Sequence, residues 1–289
     1  MPPIPSRIAN RLSNGLKRFQ PIINASKARD DGEGDTVIIV TDVLAEVFGY
    51  DKYNELTAEF AIRGTYCDLA IKLDGSVQAL VEVKAIGSEL KDAHVKQAVD
   101  YAANQGVDWV ILTNAAIWRV YRVLFSKPIE QELVVEVDFC CLNPKTGTDI
   151  DALYLLTKEG WAKSALGDFL TQRQALSRFF LGAMILSDPV VEVIRRELKR
   201  VSPDVKITLE EIRSALTSEV IKREVMEGDK AEEARKKISR CASKALRARA
   251  TKDGSESSTV EAIPVLPANR AQGGPNPLPN APTVLPRIV

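Results

Sequence analysis

CDLAIKLDGSVQALVEVK, residues 67–84, predicts a β-hairpin that carries charge where a strand is normally apolar. Asp74-Gly75 is a turn dipeptide, and the residues on both sides of it are rich in Val, Ile and Leu. Asp68, Glu82 and Lys84 interrupt these apolar runs. Because an unpaired buried carboxylate or ammonium is costly, the three charges indicate a metal ion and a proton-handling lysine rather than a packing accident.

The register of this hairpin decides whether the two acids meet. A three-residue loop, 73–75, would pair residue 72 with residue 76 and set Asp68 across from Leu80. Asp68 and Glu82 would then be diagonal neighbours on one face, about 7–8 Å apart at Cα, and the period of two would place Lys84 beside Glu82. A strict two-residue turn would put the acids on opposite faces. A shared site therefore predicts a bulge or a three-residue loop.

Three separate pieces of the chain carry a family resemblance. Asp68 followed by Glu82-Val83-Lys84 resembles the PD-(D/E)XK nuclease motif, with Cys67 where many members have Pro. Gln97 and Tyr101, on a predicted helix, resemble the Q-x-x-x-Y extension of that motif. Glu33, at the start of the preceding helix, belongs to a stretch that resembles the N-terminal nuclease domain of type I restriction enzyme R subunits. The resemblance covers roughly residues 30–125, under half of the chain.

The resemblance implies a function as well as a fold. It implies an α/β, restriction-endonuclease-like mixed sheet flanked by helices, and Mg²⁺-dependent hydrolysis of DNA phosphodiester bonds, with Mn²⁺ as a substitute ion. Asp68, Glu82 and the backbone carbonyl of Val83 would bind the cation, which prefers oxygen ligands. Lys84 would hold or deprotonate the attacking water. In addition, Gln97 would orient Lys84, Tyr101 would pack beside Gln97, and Glu33 would bind the ion through water or hold a second one.

Each of these residues also has an ordinary structural explanation. Asp68, Glu82 and Lys84 would be solvated if the hairpin lay at the surface, although the apolar residues around them favour a central position in a sheet. Gln97 would be a helix-surface residue, and Glu33 would complement the helix dipole. Histidine catalysis is disfavoured because the chain has one histidine, which is predicted to lie on a helix surface. The alternative function is a non-catalytic module of the same fold that binds nucleic acid or a protein partner.

The periodicity of the chain predicts four segments. Residues 1–29 form a basic amphipathic helix that docks on the following domain, and residues 30–140 form the nuclease-like domain. Residues 148–252 form a helical domain, and residues 253–289 form a disordered, Pro-rich tail. Within the second segment we predict helices at 35–48 and 90–104 and strands at 56–63, 66–73, 77–84, 107–113, 117–125 and 130–137. Within the third we predict helices at Ile150–Lys158, Trp161–Met184, Pro189–Arg200 and Leu209–Glu224.

Composition is compatible with a cytoplasmic nucleic-acid enzyme. The formal net charge is zero, but residues 1–29 contain six basic residues and no acid, and residues 228–252 contain nine basic residues against three acidic ones. These flanks would bind DNA, since the predicted catalytic region is acidic, or they would be ordinary solvated helix faces. The four cysteines lack metal-binding spacing, and no apolar run reaches the ~18 residues of a membrane span. The chain also lacks a G-x-x-x-x-G-K-[ST] motif, so any motor or specificity function would come from a partner subunit.

Overall fold

A computed structural model describes residues 3–62 and 65–253 and shows an α/β fold with a six-stranded mixed sheet. The strands lie in chain order across the sheet. Every neighbouring pair is antiparallel except β3 and β4, which are parallel and are connected by helix α3. The strands are β1 Leu56–Ile62, β2 Thr65–Leu73, β3 Ser76–Val83, β4 Trp109–Thr113, β5 Ile117–Leu124 and β6 Glu130–Asp138.

Helices cover both faces of the sheet, and each face has its own apolar core. The larger core joins one sheet face to the N-terminal helices and to the first helices after β6, while the smaller core lies beneath α3. The helices are α1 Ser6–Arg29, α2 Glu33–Asp42 with a π-helical end at Val43–Val47, α3 Asp92–Gln105, α4 Gly147–Tyr154, α5 Lys158–Ala162, α6 Ala165–Ala175, α7 Arg178–Ile185, α8 Asp188–Val201, α9 Leu209–Ala215 with a π-helical end at Leu216–Val220, α10 Arg223–Met226 and α11 Asp229–Asp253.

The predicted docking of the N-terminal helix is confirmed. Leu12, Leu16 and Ile23 of α1 are fully buried in the larger core. Gly15 permits a close crossing of α1 over the π-helical end of α2, since a Cβ at this position would lie 2.7 Å from the γ-carbons of Val47. The helix therefore belongs to the same packed body as the sheet.

The turn of the β2–β3 hairpin differs from the three-residue loop that the sequence suggested. Leu73 pairs with Ser76, so the loop has two residues, and both Asp74 and Gly75 have positive φ, as a type I′ turn requires. The predicted pairing of residue 72 with residue 76 is wrong, because Lys72 pairs with Val77. Aspartate tolerates the left-handed conformation better than most residues, which allows the shorter turn.

A bulge restores the relation between the two acids that the short turn alone would have broken. Ile71 pairs with Ala79 while Lys72 pairs with Val77, so Gln78 is an extra residue in β3. Beyond the bulge Leu69 pairs with Val81. If this register continues by one more residue, Asp68 lies opposite Glu82. The sequence had instead predicted that Asp68 lies opposite Leu80. The predicted bulge is therefore confirmed, and the two acids are directly opposed rather than diagonal.

The remaining secondary structure agrees with the sequence except in the helical region. The six strands and α3 lie within a few residues of their predicted bounds, whereas the predicted helix Trp161–Met184 is divided into parts of α5, α6 and α7. Ser177 caps α7 by accepting a hydrogen bond from the Phe180 amide, and such serine caps compete with a continuous helix. The predicted helix Leu209–Glu224 is also divided, since Ile221 adopts an extended conformation after α9. The predicted disordered tail lies almost wholly outside the described residues.

Arg11 connects three elements of this fold. Its Nε atom donates to the Val47 carbonyl at 3.0 Å, and its Nη2 atom donates to the Phe48 carbonyl at 3.2 Å. The guanidinium also makes two hydrogen bonds of 2.8 and 2.6 Å to the carboxylate of Glu159 in α5. This arginine, which the sequence grouped with the basic residues available for DNA, is instead bound within the protein.

We expect Arg11→Ala to lower the free energy of unfolding by about 2 kcal/mol, because it leaves two carbonyls and a carboxylate without their donor. Arg18→Ala is the matched control on the same helix, since the Arg18 side chain is 63% exposed against 25% for Arg11. The control should change stability by less than about 0.5 kcal/mol. Urea unfolding followed by circular dichroism measures both, and equal losses would contradict the assigned role of Arg11.

Candidate active site

Asp68 lies at the end of the β2–β3 ladder, where the two strands separate. Backbone amides of a strand point alternately to its two neighbours, and the Lys84 amide donates to the Thr113 carbonyl of β4 at 2.8 Å. The Val83 amide therefore points toward β2, where it donates to the Asp68 carboxylate at 2.7 Å. The Asp68 side chain thus takes the place of a backbone acceptor at the end of the ladder, which fixes the carboxylate at this end of β3.

Glu82 and Lys84 form a close and mostly buried ion pair beside Asp68. The Lys84 ammonium lies 2.7 Å from the Glu82 carboxylate, and the two side chains are 15% and 3% exposed. Glu82 follows the apolar run of β3, so the strand itself carries the acid into the protein. The predicted proximity of Glu82 and Lys84 is confirmed.

Glu33 reaches the same lysine from the other side. It is the first residue of α2, and its carboxylate lies 3.6 Å from the Lys84 ammonium while its side chain remains 49% exposed. A segment more than 50 positions earlier in the sequence is thus brought to the charged end of β3. The contact places Glu33 at the site, although it faces Lys84 and its predicted role in holding an ion remains a prediction.

The charges of this cluster do not balance. Asp68, Glu82 and Glu33 oppose the single ammonium of Lys84, which leaves a formal charge of −2. Burial raises the pKa of Asp68, an effect that the Val83 amide and Lys84 only partly offset. Burial also raises the pKa of Glu82, and the charges of Asp68 and Glu33 act in the same direction. A cation between the half-buried Asp68 carboxylate and the buried Glu82 carboxylate would relieve this excess of negative charge.

The pKa of Lys84 is raised, which keeps the amine protonated. Burial by itself opposes the charge on this side chain, but the hydrogen bond from Lys84 to Glu82 and the charges of Glu82, Glu33 and Asp68 outweigh that cost. In this arrangement Lys84 is a fixed positive charge and a hydrogen-bond donor. It is not prepared to accept a proton.

The donor set fits a hard divalent cation bound with much of its water. Asp68 and Glu82 offer carboxylate oxygens, and Mg²⁺ in proteins usually takes one or two carboxylates and keeps several waters. Among the described residues, no group of three or more His, Cys, Asp or Glu side chains is arranged to hold a metal. A Mg²⁺-type ion here would therefore depend on two carboxylates, water and substrate oxygens. The predicted Val83 carbonyl ligand remains a prediction.

Gln97 lies on the exposed surface of α3 and donates to the hydroxyl oxygen of Tyr101 at 3.1 Å. The prediction that Tyr101 packs beside Gln97 is confirmed. In the part of the chain that the structure describes, no hydrogen bond joins Gln97 to Lys84, so a role in orienting the lysine remains a prediction. His94 accepts a hydrogen bond from the Lys91 amide at 3.3 Å at the start of the helix. Glu59 is exposed on the edge strand β1, at the position that the β1–β2 register sets opposite Asp68.

Two residues that the sequence did not single out hold the segment after Lys84. Asn114 is buried, donates from Nδ2 to the Ser88 carbonyl at 2.9 Å and accepts from the Ile117 amide at 2.8 Å. Arg119 donates to the Leu90 carbonyl at 2.8 Å, just before α3 begins. Asn114 follows a predicted strand in a turn, where a polar residue is ordinary, so the sequence gave no signal of its contact with a distant loop.

Comparisons with known proteins do not assign this chain to a family. No protein-family model matches it, and neither the curated proteins nor the solved structures include a significant match.

We expect Lys84→Met to lower the free energy of unfolding by about 3 kcal/mol at a pH of about 8, because it leaves the buried Glu82 carboxylate without its partner. The double variant Glu82→Gln, Lys84→Met should recover most of this loss, since neither buried charge remains. Urea unfolding in the presence of EDTA measures the series.

Glu33→Gln is the control for this series, because it alters the other partner of Lys84 at an exposed position. It should change stability by less than about 0.5 kcal/mol. If Lys84→Met were no more destabilising than Glu33→Gln, the buried ion pair would not have the energetic role assigned to it.

Proposed function

We propose that this protein is a metal-dependent endonuclease that hydrolyses DNA phosphodiester bonds. The observation that carries the proposal is the proximity of Asp68, Glu82 and Lys84 at one end of β3, where the Val83 amide holds the Asp68 carboxylate and Lys84 is ion-paired with Glu82. A half-buried and a buried carboxylate with raised pKa values and one protonated lysine match the needs of phosphodiester hydrolysis, namely a cation site and a positive charge for the phosphate.

The residues would divide the work as follows. Asp68 and Glu82 would hold a divalent cation, which supplies Lewis-acid polarisation of the phosphate and a more acidic water. The Val83 amide keeps Asp68 aimed at the site, so this carboxylate needs little reorganisation. Lys84 would exchange part of its contact with Glu82 for a phosphate oxygen or the attacking water. Because the pKa of Lys84 is raised, we assign it electrostatic stabilisation and water positioning rather than proton abstraction.

The DNA grip would come from basic residues outside the acidic cluster. Three of the six basic residues in α1 are ion-paired, Arg11 with Glu159, Arg18 with Glu46 and Arg29 with Asp31. The other basic residues of α1 and the basic helix α11 remain candidates for contacts with DNA phosphates. The affinity of such binding for DNA falls as the salt concentration rises. The resemblance to type I restriction enzyme R subunits suggests a restriction or defence setting, with a partner that supplies the motor or the sequence specificity.

A non-catalytic binding module is the second candidate. It is favoured by the direct ion pair between Lys84 and Glu82 and by the contact of Gln97 with Tyr101 rather than with Lys84. A binding module, however, has no evident use for two partly or wholly buried carboxylates of raised pKa. The enzyme is therefore the stronger proposal, and activity measurements separate the two.

We expect the wild-type protein to nick supercoiled plasmid DNA in the presence of Mg²⁺ or Mn²⁺, and not in EDTA. Asp68→Asn and Lys84→Met should each lower the rate at least about 100-fold, because each removes a group that acts on the reacting phosphate or its metal. Glu130→Gln, an exposed acid on β6 at the opposite edge of the sheet, is the control and should retain the wild-type rate. Equal nicking by all four proteins would refute the catalytic assignment.

Metal binding can be tested without activity. At a Mg²⁺ concentration about 100 times the Kd, binding to the folded state alone adds about 2.7 kcal/mol of stability. We expect this stabilisation in the wild type and in Glu130→Gln, and its loss in Asp68→Asn and Glu82→Gln, since each of these two removes one of only two carboxylate ligands. Thermal unfolding with Mg²⁺ at constant ionic strength measures it, and undiminished stabilisation in Asp68→Asn would place the metal elsewhere.

A further inference from the structure

A cavity of about 820 Å³ lies between the edge strand β6 and the helices α7 and α11. Leu124, Phe179 and Phe180 form its apolar part, and both phenylalanines are only half-buried. None of the residues of the candidate active site lines this cavity. Its volume is within the range of about 300–1,000 Å³ that is usual for ligand sites, so it can hold a short segment of peptide.

The lining of the cavity is more acidic than its ion pairs can balance. Three of its acids have arginine partners: Glu132 pairs with Arg173, Glu224 with Arg178 and Glu227 with Arg223. Among the described residues, no side-chain hydrogen bond or ion pair engages three further acids of the lining, Glu130, Asp229 and Glu233. Lys230 is an unpaired base of the same lining, so three acids face one lysine. An occupant should therefore combine apolar side chains with positive charge.

Addition of a further strand is not the mode of binding that this cavity favours. Arg173 donates to the carbonyls of Leu133 and Val134 at 2.9 and 2.7 Å, and so occupies acceptors of β6 beside the cavity. A Pro-rich segment suits such a place, because proline has no N–H to donate to an edge strand. Pro-rich segments also bind aromatic-lined grooves in a preformed extended conformation.

The chain itself contains a segment with the required chemistry, outside the described residues. Residues 262–289 include seven prolines, two arginines and no acid. The tripeptide Val-Leu-Pro occurs twice in this stretch, at 265–267 and at 284–286. The second Val-Leu-Pro is followed directly by Arg287, so apolar side chains, a proline and a cation are adjacent there.

Distance along the chain selects the second Val-Leu-Pro. Helix α11 starts at the cavity, which its residues Asp229 and Glu233 line, and its 25 residues rise about 37 Å to Asp253. Residues 254–264 can extend to about 40 Å at most, so the first Val-Leu-Pro can hardly return to the cavity. Residues 254–283 can extend to about 100 Å, which gives the second Val-Leu-Pro ample reach.

We propose that residues 284–287 of the same chain dock in this cavity. The leucine and proline of the segment pack against the two phenylalanines, and Arg287 faces the unpaired acids. Because the segment is tethered, its effective concentration is about 1 mM, so that weak binding is sufficient. Docking holds the chain that follows α11 against the helical region, and it does not depend on the proposed nuclease activity.

Hydrogen–deuterium exchange of the full chain, followed by mass spectrometry, tests the docking. Arg287→Glu should speed exchange of the backbone amides of residues 173–181 and 224–234 about tenfold, as expected where the effective concentration of the segment is about ten times its Kd. Arg270→Glu is the matched control, since it makes the same charge reversal just after the first Val-Leu-Pro. The control should leave these amides at the wild-type rate.

A fluorescently labelled peptide of residues 279–289 measures the same contact between separate molecules. It should bind to the Arg287→Glu protein, whose own segment is disabled, and about tenfold more weakly to the wild type, whose segment competes. In the Arg287→Glu background, Glu233→Gln should weaken peptide binding about threefold, because it removes an unpaired acid of the cavity. Glu192→Gln, an exposed acid on α8, is the control and should not weaken it.

The outcomes decide the occupant as well as the docking. Unchanged exchange in Arg287→Glu, or an equal effect of Arg270→Glu, overturns the proposal, as does a peptide that binds the wild type and Arg287→Glu equally. Protection that grows with protein concentration assigns the cavity to the segment of a second molecule and overturns docking within one chain. Protection that is lost in Arg287→Glu at every protein concentration, together with competition against the peptide, supports it.

Discussion

The hydrogen bond from the Val83 amide to the Asp68 carboxylate is the constraint on which the candidate site depends. A buried backbone donor must find an acceptor, and at this point β2 no longer offers a carbonyl in register. The Asp68 carboxylate is that acceptor, so a single hydrogen bond both pairs the Val83 amide and fixes the position of the Asp68 side chain. The pairing of Leu69 with Val81 brings Asp68 next to Glu82, and the hydrogen bond keeps the Asp68 carboxylate there.

The position of β3 in the sheet explains why charge is tolerated there. It is an interior strand, antiparallel to β2 and parallel to β4, and its amides alternate between these neighbours. The end of β3 therefore lies deep enough to bury Glu82, yet close enough to α2 and solvent for Lys84 to meet Glu33. At such a border carboxylates are desolvated without being sealed off, which is what raises their pKa values while leaving room for a ligand.

Much of the fold could be predicted from the sequence, because the apolar periodicities of the strands, α1 and α3 are strong and local. The proximity of Glu82 and Lys84 followed from the two-residue period of a strand. The need for a bulge followed because a two-residue turn alone would put Asp68 and Glu82 on opposite faces. The presence of Glu33 at the site was suggested only by resemblance, and its contact with Lys84 was not predicted, since periodicity says nothing about segments that are distant in the chain. The type I′ turn was missed because Asp74 adopts positive φ, a choice that several turn types leave open. Asn114 was missed because its partner, the Ser88 carbonyl, belongs to a loop without a sequence pattern. The divided helices between residues 158 and 185 show the same limit, as the Ser177 cap competes with an otherwise helical composition.

The extra residue Gln78 also restricts how this hairpin can vary in length. Removal of one residue from β3 between the turn and Val81 would exchange the sides of every residue beyond it, turning Glu82 into the opposite core and Val83 toward the site. Removal of two residues, or a compensating change in the turn, would preserve the sides. The number of residues between Asp68 and Glu82 can thus change only by an even number if the two acids are to stay on the same side of the sheet. The length of the hairpin is therefore a requirement of the site and not only a connection between two acids.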